Sequence, residues 1–249
     1  MAGGTGLVGR YTMAAITDLG HDPVVLSRSV GVDLVARTGL DAALDGVEAV
    51  VDVTNVTTMK RQQSVDFFTA VTRNLLAAEQ RAGVRQHVAL SIVGVDRVPS
   101  GYYEGKRQQE ALVLSTDGPG AVLRATQFHE FAGQVLTMVK GPLAVVPRMI
   151  SRPVAAREVG RALAELAVGT ANGMQPELAG PEKLRMPDMV RQLLRARGSR
   201  RLVVPVRLPG EAGRAMAGGG LLPLSDGPRG RQTYREWLGH PDSAGFRRG

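Results

Sequence analysis

Short apolar runs alternate along the first half of this chain with longer segments in which apolar residues recur every three or four positions. The runs predict buried β-strands and the spaced positions predict amphipathic helices. Predicted strands cover residues 23–27, 49–53, 87–91 and 121–124, and predicted helices cover residues 8–19, 62–82 and 103–114. Because strands and helices alternate, we predict an α/β fold with a doubly wound parallel sheet.

The pattern changes near residue 140, where glycine and proline become frequent. Helical spacing persists there at residues 155–168 and 187–197. We therefore predict a larger domain over residues 1–140 and a smaller C-terminal α/β lobe over residues 141–249, packed on it. In folds of this kind such a lobe usually builds the substrate pocket.

A glycine-rich segment opens the chain and consists of Gly3, Gly4, Thr5, Gly6, Leu7, Val8 and Gly9. It satisfies the spacing G-x-G-x-x-G, in which the glycines permit a tight turn and let a pyrophosphate approach the backbone. The predicted helix and strand that follow are the context that the motif requires. We predict a dinucleotide site here; the alternative is a glycine turn with a structural role only.

The choice of dinucleotide is predicted from the end of the strand at residues 23–27, where Ser27, Arg28 and Ser29 stand. A site for NAD(H) usually has a carboxylate at this point, which accepts a hydrogen bond from the ribose 2′-hydroxyl. A guanidinium between two hydroxyls suits the 2′-phosphate of NADP(H) instead. NADP(H) is therefore favoured over NAD(H), and the alternative is that Arg28 is an ordinary solvent-facing residue.

A strand should precede the glycine motif, yet only Met1 and Ala2 do so here. That strand normally lies centrally in the sheet, so its loss should be severely destabilising. We therefore expect the natural chain to begin upstream of the recorded start, which intact-mass measurement on protein from the native host would test.

Three residues near the middle of the chain suit carbonyl chemistry. Tyr102 and Lys106 are four apart and so share one helix face, where an ammonium group would lower the pKa of the phenol toward neutrality. Ser91 ends a predicted strand and could hold the substrate oxygen, and Lys106 could also reach the ribose of the cofactor. The alternative is that Tyr102 is a half-buried helix residue.

The order of these segments resembles the atypical short-chain dehydrogenase/reductases, and within them the NmrA-like NAD(P)H-binding oxidoreductases. The matching segments include residues 3–9, 52–55, 90–94, 102–106, 123–128, 179–182 and 234–238. The resemblance implies a Rossmann fold, with Thr54 and Asn55 on the adenosine and ribose side of the cofactor. It also places Gln127 and Phe128 near the nicotinamide and the substrate.

His129 follows the pair Gln127 and Phe128 and could act as a substrate acid or base. The alternative is that Phe128 is part of the core and that His129 is its hydrogen-bonded polar neighbour.

Members of this family are reductases of quinones, imines and carbonyls, redox-sensing regulators, or accessory subunits of respiratory complex I. We predict an enzyme, an NADP(H)-dependent reductase of a small carbonyl or quinone with Tyr102 as proton donor. The alternative is an NADP(H)-binding redox sensor without catalysis. An epimerase or dehydratase acting on a nucleotide sugar is disfavoured, because it would retain NAD.

Composition narrows the remaining partners. The net charge of +8 is carried by residues 185–249, which hold 13 basic and 5 acidic side chains. This excess is an electrostatic funnel for an anionic ligand, a weak nucleic-acid patch, or a solvated surface, and direct nucleic-acid binding has the least support. No cysteine occurs, and four scattered histidines predict no metal site.

The sequence contains no apolar run long enough for a membrane helix and no secretory signal pattern, so we predict a cytoplasmic protein that acts on a small-molecule substrate. Homodimers are common for such domains, although no residue pattern marks an interface.

Overall fold

The computed structural model describes residues 1–115, 118, 120–137 and 141–247. The helices and strands of the first half are α1 (Leu7–Asp18), α2 (Leu40–Ala43), β1 (Ala49–Asp52), α3 (Arg61–Ala82), β2 (Gln86–Ile92), α4 (Gly101–Leu114) and β3 (Gly120–Ala125). Those of the second half are α5 (Phe131–Thr137), β4 (Leu143–Pro147), β5 (Ile150–Ser151), α6 (Ala156–Val168), β6 (Gly173–Met174), β7 (Leu184–Arg185), α7 (Met186–Ala196), β8 (Leu202–Val206), α8 (Gly210–Ala217), α9 (Tyr234–Gly239) and α10 (Ala244–Arg247). Short 3₁₀ turns lie at Arg28–Val30 and Pro241–Ser243.

The chain divides into two compact units, each built from separate stretches. The first unit contains Met1–Val95, Ser100–Arg124 and Arg157–Pro176, and the second contains Asp96–Pro99, Ala125–Ala156 and Glu177–Gly249. This division is less simple than the predicted one, because residues 157–176 group with the N-terminal stretches. Residue 140, where we placed the boundary, lies outside the described residues.

A four-stranded sheet in the order β1-β2-β3-β6 is the centre of the first unit. β1 and β2 are parallel, with Val51 opposite Val88, and β3 and β6 are also parallel. The apolar runs that predicted these strands are almost wholly buried in them, as expected for a parallel sheet with covered faces. The α/β class with a parallel sheet is therefore confirmed.

Helix α3 shows why the apolar spacing was informative. Phe68, Val71, Leu75 and Ala78 are each at most 1% exposed and form one face of the helix. Three of them, Val71, Leu75 and Ala78, pack in a cluster with Val50 of β1 and with residues of the segment before it. The periodicity of the sequence thus predicted which face of α3 is buried.

The structure has no strand at residues 23–27, so the prediction of a strand there is wrong. Leu26 makes a single parallel bridge to Ala2, and Ala2 makes another to Asp52 of β1. The remaining backbone bonds to this segment come from Met1, whose carbonyl oxygen accepts from Leu26 N at 2.9 Å. Since only Met1 and Ala2 lie between the segment and β1, the ladder is too short to form a strand.

The second unit contains two small sheets, a parallel pair of β4 and β8 and an antiparallel pair of β5 and β7. Helix α7 contributes a buried face of six residues that includes Met189, Val190 and Leu193. Among the described residues no helix is long and apolar enough to cross a membrane.

Candidate functional site

The glycine segment forms a tight turn in front of α1. Gly3 has a left-handed backbone with φ of 77°, and its carbonyl oxygen accepts from Gly6 N at 3.0 Å. A Cβ atom on Gly9 would overlap that carbonyl oxygen and would lie 2.7 Å from Cα of Gly4. Only glycine therefore allows the first turn of α1 to pack on the loop, as the motif predicted.

The N-terminus of α1 is open to a ligand. Gly6 is its N-cap residue, no side chain among the described residues caps it, and its first turn contains no acidic residue. Thr5 and Gly6 are exposed. Uncapped N–H groups at a helix start attract anions, so this turn has the geometry of a phosphate cradle.

Ser27, Arg28 and Ser29 lie at the surface in and next to the first 3₁₀ turn. The hydroxyl groups of Ser27 and Ser29 are hydrogen-bonded to each other at 2.8 Å. Asp33 is an acidic residue that interacts with this segment. The backbone N–H groups of Ala36 and Val35 lower its pKa most, and the charge of Arg28 lowers it further. The sequence alone does not show that this carboxylate interacts with Arg28.

A buried chain of polar groups connects β1 to α4. The carboxylate of Asp52 accepts from Gln109 Nε2 at 2.7 Å and from Thr54 N at 2.8 Å. The side-chain oxygen of Gln109 in turn accepts from Lys106 Nζ. Asp52, Lys106 and Gln109 are each at most 3% exposed. Sequence reasoning missed Gln109, although its place three residues after Lys106 on one helix face was a usable signal.

Lys106 is held away from solvent. Its ammonium group also donates to the carbonyl oxygen of Leu90 in β2 at 2.6 Å and lies 4.7 Å from the ring centre of Phe68. Burial lowers its pKa to about 8, against the opposing charges of Asp52 and Glu110. An ammonium has three N–H groups, and two of them are used in these bonds.

Tyr102 differs from the expectation in one respect. Its hydroxyl donates to Asn55 Oδ1 at 2.7 Å, and its ring packs edge-on against Phe68. Burial raises the pKa of Tyr102 above its ordinary value, and the neighbouring Tyr103 adds to this shift. The prediction that Lys106 lowers this pKa is therefore wrong, because both bonds of the ammonium group are to other atoms.

Two buried hydroxyl groups lie near the carboxyl ends of β1 and β2. Ser91 and Thr54 each stand two residues beyond the paired residues Ala89 and Asp52. Neither hydroxyl oxygen has a hydrogen-bond partner among the described residues, and Ser91 is 3% exposed. Unpaired buried hydroxyls are uncommon and indicate an additional partner such as a ligand or water.

The residues expected near the substrate lie in the second unit. Gln127 and Phe128 are half-buried, and the Gln127 backbone carbonyl accepts from Val154 N at 3.0 Å. The side-chain oxygen of Gln127 is buried without a partner among the described residues. This oxygen is therefore able to accept a hydrogen bond from a ligand.

His129, by contrast, is wholly inside the second unit. It is 0% exposed, and its ring lies 5.5 Å from Tyr234 and 5.7 Å from Trp237. Its Nε2 atom is 3.1 Å from the carbonyl oxygen of Gln232. Burial lowers its pKa to about 4, so it is neutral at physiological pH. This setting agrees with a packing role, and we leave His129 out of the proposed site.

Comparison with known proteins bears on the fold. No family model and no curated protein matches this chain. The NADPH-dependent quinone oxidoreductase QOR2 from Escherichia coli is similar in structure, with a TM-score of 0.69 and 17% identity over 96% of this chain and 98% of that chain.

Two further solved structures are similar along their whole length. A UDP-glucose-4-epimerase from Stenotrophomonas maltophila, with bound NAD and formylated UDP-arabinopyranose, has a TM-score of 0.75 and 14% identity over 99% of this chain and 96% of that chain. MoeE5, in complex with UDP-glucose and NAD, has a TM-score of 0.72 and 16% identity over 97% of this chain and 96% of that chain. Likeness at this identity shows a shared fold, and the chain therefore has the Rossmann-type α/β fold of these three proteins.

Proposed function

We propose that this chain binds NADP(H) and acts as a reductase of a small carbonyl compound or quinone. The observation that carries the proposal is the glycine turn before α1, where a Cβ at Gly3 or Gly9 would collide with backbone atoms. Such a turn beside an uncapped helix start suits a pyrophosphate. QOR2, a similar structure, is an NADPH-dependent quinone oxidoreductase, which supports this choice of reaction.

The residues present fit a nicotinamide dinucleotide. Gly3 to Gly9 would hold the pyrophosphate, while Ser27, Arg28 and Ser29 would hold the 2′-phosphate of NADP(H). Thr54 and Asn55 would lie along the adenosine and ribose side. The hydroxyl of Thr54 is a buried atom without a partner among the described residues, as expected of a group that a ligand completes.

When bound, the nicotinamide supplies a hydride. Lys106 remains protonated at neutral pH and keeps one N–H group for a ribose hydroxyl. Its bonds to Leu90 and Gln109 fix its position before any ligand arrives, which reduces the entropy lost on binding. The free hydroxyl of Ser91 would then donate to the substrate oxygen.

Tyr102 is the proposed proton donor. Its raised pKa keeps the phenol protonated at neutral pH, so it can donate to an oxygen that becomes negative. To reach a substrate, the hydroxyl must exchange Asn55 for the substrate oxygen.

One observation favours the second candidate, a non-catalytic NADP(H)-binding redox sensor. The hydroxyl of Tyr102 donates to Asn55, and two of the three N–H groups of Lys106 donate to Leu90 and Gln109, so neither side chain is bonded to the other or to Ser91. A site whose proton donor is already paired with the protein can bind a cofactor without turning over a substrate.

Two measurements distinguish the reductase from the sensor. The first is titration with NADPH and NADH, and the second is turnover with a panel of quinones and carbonyls. We expect tighter binding of NADPH, a preference reduced roughly tenfold in Arg28→Ala, and no binding in Gly9→Ala. Gly239→Ala is the matched control, because its Cβ would meet open space. Failure of the wild type to bind either dinucleotide would refute the proposal.

Turnover tests the role of Tyr102. The variant Tyr102→Phe should lower kcat at least about 100-fold while leaving NADPH binding intact, since general acids contribute that much. Tyr103→Phe, on the same helix, should be close to wild type. NADPH binding without turnover of any acceptor would favour the sensor, whereas unchanged turnover in Tyr102→Phe would remove this residue from the mechanism.

A further inference from the structure

A cavity of about 760 Å³ lies within the second unit. Arg148 follows β4 and Arg207 follows β8, two strands that are paired in parallel with Pro147 opposite Val206. Arg148 N donates to Val206 O at 2.8 Å. The ladder therefore brings both arginines to the same end of the pair, at the cavity wall.

Three more arginines reach the same cavity from other elements. Arg185 lies in β7, opposite Ile150 of β5, while Arg191 lies on α7 and Arg214 on α8. Together with Arg148 and Arg207, this makes five arginines in the cavity wall, and they come from three stretches of the chain. Tertiary structure, rather than one basic run, concentrates the charge here.

The charges of this wall are not neutralised by the protein. Of the described residues that line the cavity, Asp188 alone is acidic, and it accepts from Arg191 at 2.6 Å. The side chains of the other four are exposed and make no hydrogen bond or ion pair within the part of the chain that the structure describes: Arg148, Arg185, Arg207 and Arg214. Four like charges around one cavity repel each other unless an anion joins them.

The rest of the lining is apolar. Met149, Ile150, Pro187, Pro205 and Leu208 contribute to it. A cavity of this volume accommodates a small organic molecule, since such sites usually measure about 300–1,000 Å³. The combination of forked cations and apolar surface suits a ligand with a strongly anionic end and an organic body.

We propose that this cavity binds a small organic diphosphate. The guanidinium groups of Arg148, Arg185, Arg207 and Arg214 bind the phosphate oxygens, and the organic part lies against Met149, Ile150 and Leu208. This site goes beyond the proposed dinucleotide site, because none of its residues belongs to the glycine turn or to the Ser27–Ser29 segment. It gives the basic C-terminal quarter of the chain a specific anionic ligand.

Calorimetric titration with inorganic pyrophosphate and with inorganic phosphate, at physiological ionic strength, tests the proposal. Saturable pyrophosphate binding is expected, with phosphate weaker. Arg207→Ala and Arg214→Ala should each weaken pyrophosphate binding roughly tenfold, the cost of losing a charge-assisted hydrogen bond. Arg207→Lys keeps the charge but loses the fork, and it should weaken binding less than Arg207→Ala.

Two controls make the result specific. Arg195→Ala, an exposed residue on α7 outside the cavity, should bind pyrophosphate like the wild type. Gly9→Ala should keep pyrophosphate binding even where NADPH binding is lost, which separates this site from the dinucleotide site. Thermal unfolding of each variant verifies that the fold is intact.

Three outcomes would overturn the proposal. The first is the lack of saturable pyrophosphate binding by the wild type. The second is equal loss of affinity in Arg195→Ala, which would indicate general surface charge. The third is parallel loss of NADPH and pyrophosphate binding in Arg207→Ala, which would assign the arginines to the cofactor.

Discussion

His129 and Glu130 are adjacent buried residues whose pKa values move in opposite directions. Glu130 is 1% exposed, and burial raises its pKa to about 7, although its own backbone N–H and the indole of Trp237 lower it. Burial lowers the pKa of His129 to about 4. In both cases the folded state favours the neutral form, as a low-dielectric interior requires.

The two shifts have opposite effects on stability. Between about pH 4.5 and 7, the folded state keeps a proton on Glu130 that the unfolded state has released, so the free energy of unfolding falls as pH rises. Between about pH 4 and 6.5, the unfolded state holds a proton on His129 that the folded state lacks, so the free energy of unfolding rises with pH. In the wild type these slopes largely cancel.

Single substitutions should separate the slopes. In Glu130→Gln only the His129 slope remains, so the free energy of unfolding of this variant should rise between about pH 4 and 6.5, by up to about 3 kcal/mol, whereas that of the wild type changes little. In His129→Gln it should fall from pH 4.5 to 7 by a similar amount. Urea unfolding at a series of pH values measures both. Identical pH slopes in the wild type and both variants would contradict the assigned shifts.

The hydrogen-bond partners of Lys106 could not be predicted from the sequence. The spacing of Tyr102 and Lys106 predicted a shared helix face, and both do lie on α4. Spacing does not determine which acceptor a flexible ammonium group will select. Leu90 and Gln109 surround it in the fold, so burial rather than this lysine controls the pKa of Tyr102.

Contacts between helices decide whether α4 can present Tyr102 and Lys106 at all. Helices α3 and α4 meet where Gly105 faces Ser64, whose hydroxyl donates to the carbonyl oxygen of Tyr102 at 2.8 Å. A Cβ on Gly105 would lie 2.5 Å from Ser64 O and 2.6 Å from Ser64 C. The close approach leaves no space for a larger residue.

Gly105→Ala should therefore destabilise the protein by about 1–3 kcal/mol through overpacking, despite the better helix propensity of alanine. Denaturant unfolding checks this value. In Gly239→Ala, at the end of α9, the added methyl would meet open space, so this control should be neutral or slightly stabilising. A neutral Gly105→Ala would mean that the two helices separate without cost.

At the scale of the whole molecule, the first unit includes residues 157–176, which follow a long stretch of the second unit along the chain. The sheet and α1 of the first unit depend on these residues. Strand β6 pairs with β3 through Ala121 and Gly173. Helix α6 packs against α1, where a Cβ on Gly160 would lie 2.8 Å from Thr12 N. Its residues Val159 and Leu163 are fully buried.

A fragment of residues 1–140 should consequently not fold like the first unit of the intact chain. Loss of α6 and β6 exposes the face of α1 and the edge of β3, both of which need apolar cover. Thermal unfolding followed by circular dichroism should show a broad, weakly cooperative transition for the fragment and a sharp one for the full chain. A sharp transition in the fragment would instead support the predicted boundary at residue 140.

The sequence by itself determined the features that depend on neighbouring residues. The glycine turn at Gly3–Gly9, the start of α1, the buried face of α3 and three strands of the parallel sheet follow from backbone freedom and from apolar periodicity. These are local rules, so a single chain displays them.

Only the tertiary structure decided the contacts between distant parts of the chain. It placed His129 against Gln232, 103 residues away, and it gathered five arginines from three stretches of the chain around one cavity. It also returned residues 157–176 to the first unit. Such contacts depend on how elements pack and on which buried polar groups find partners, and no local pattern of residues encodes that choice.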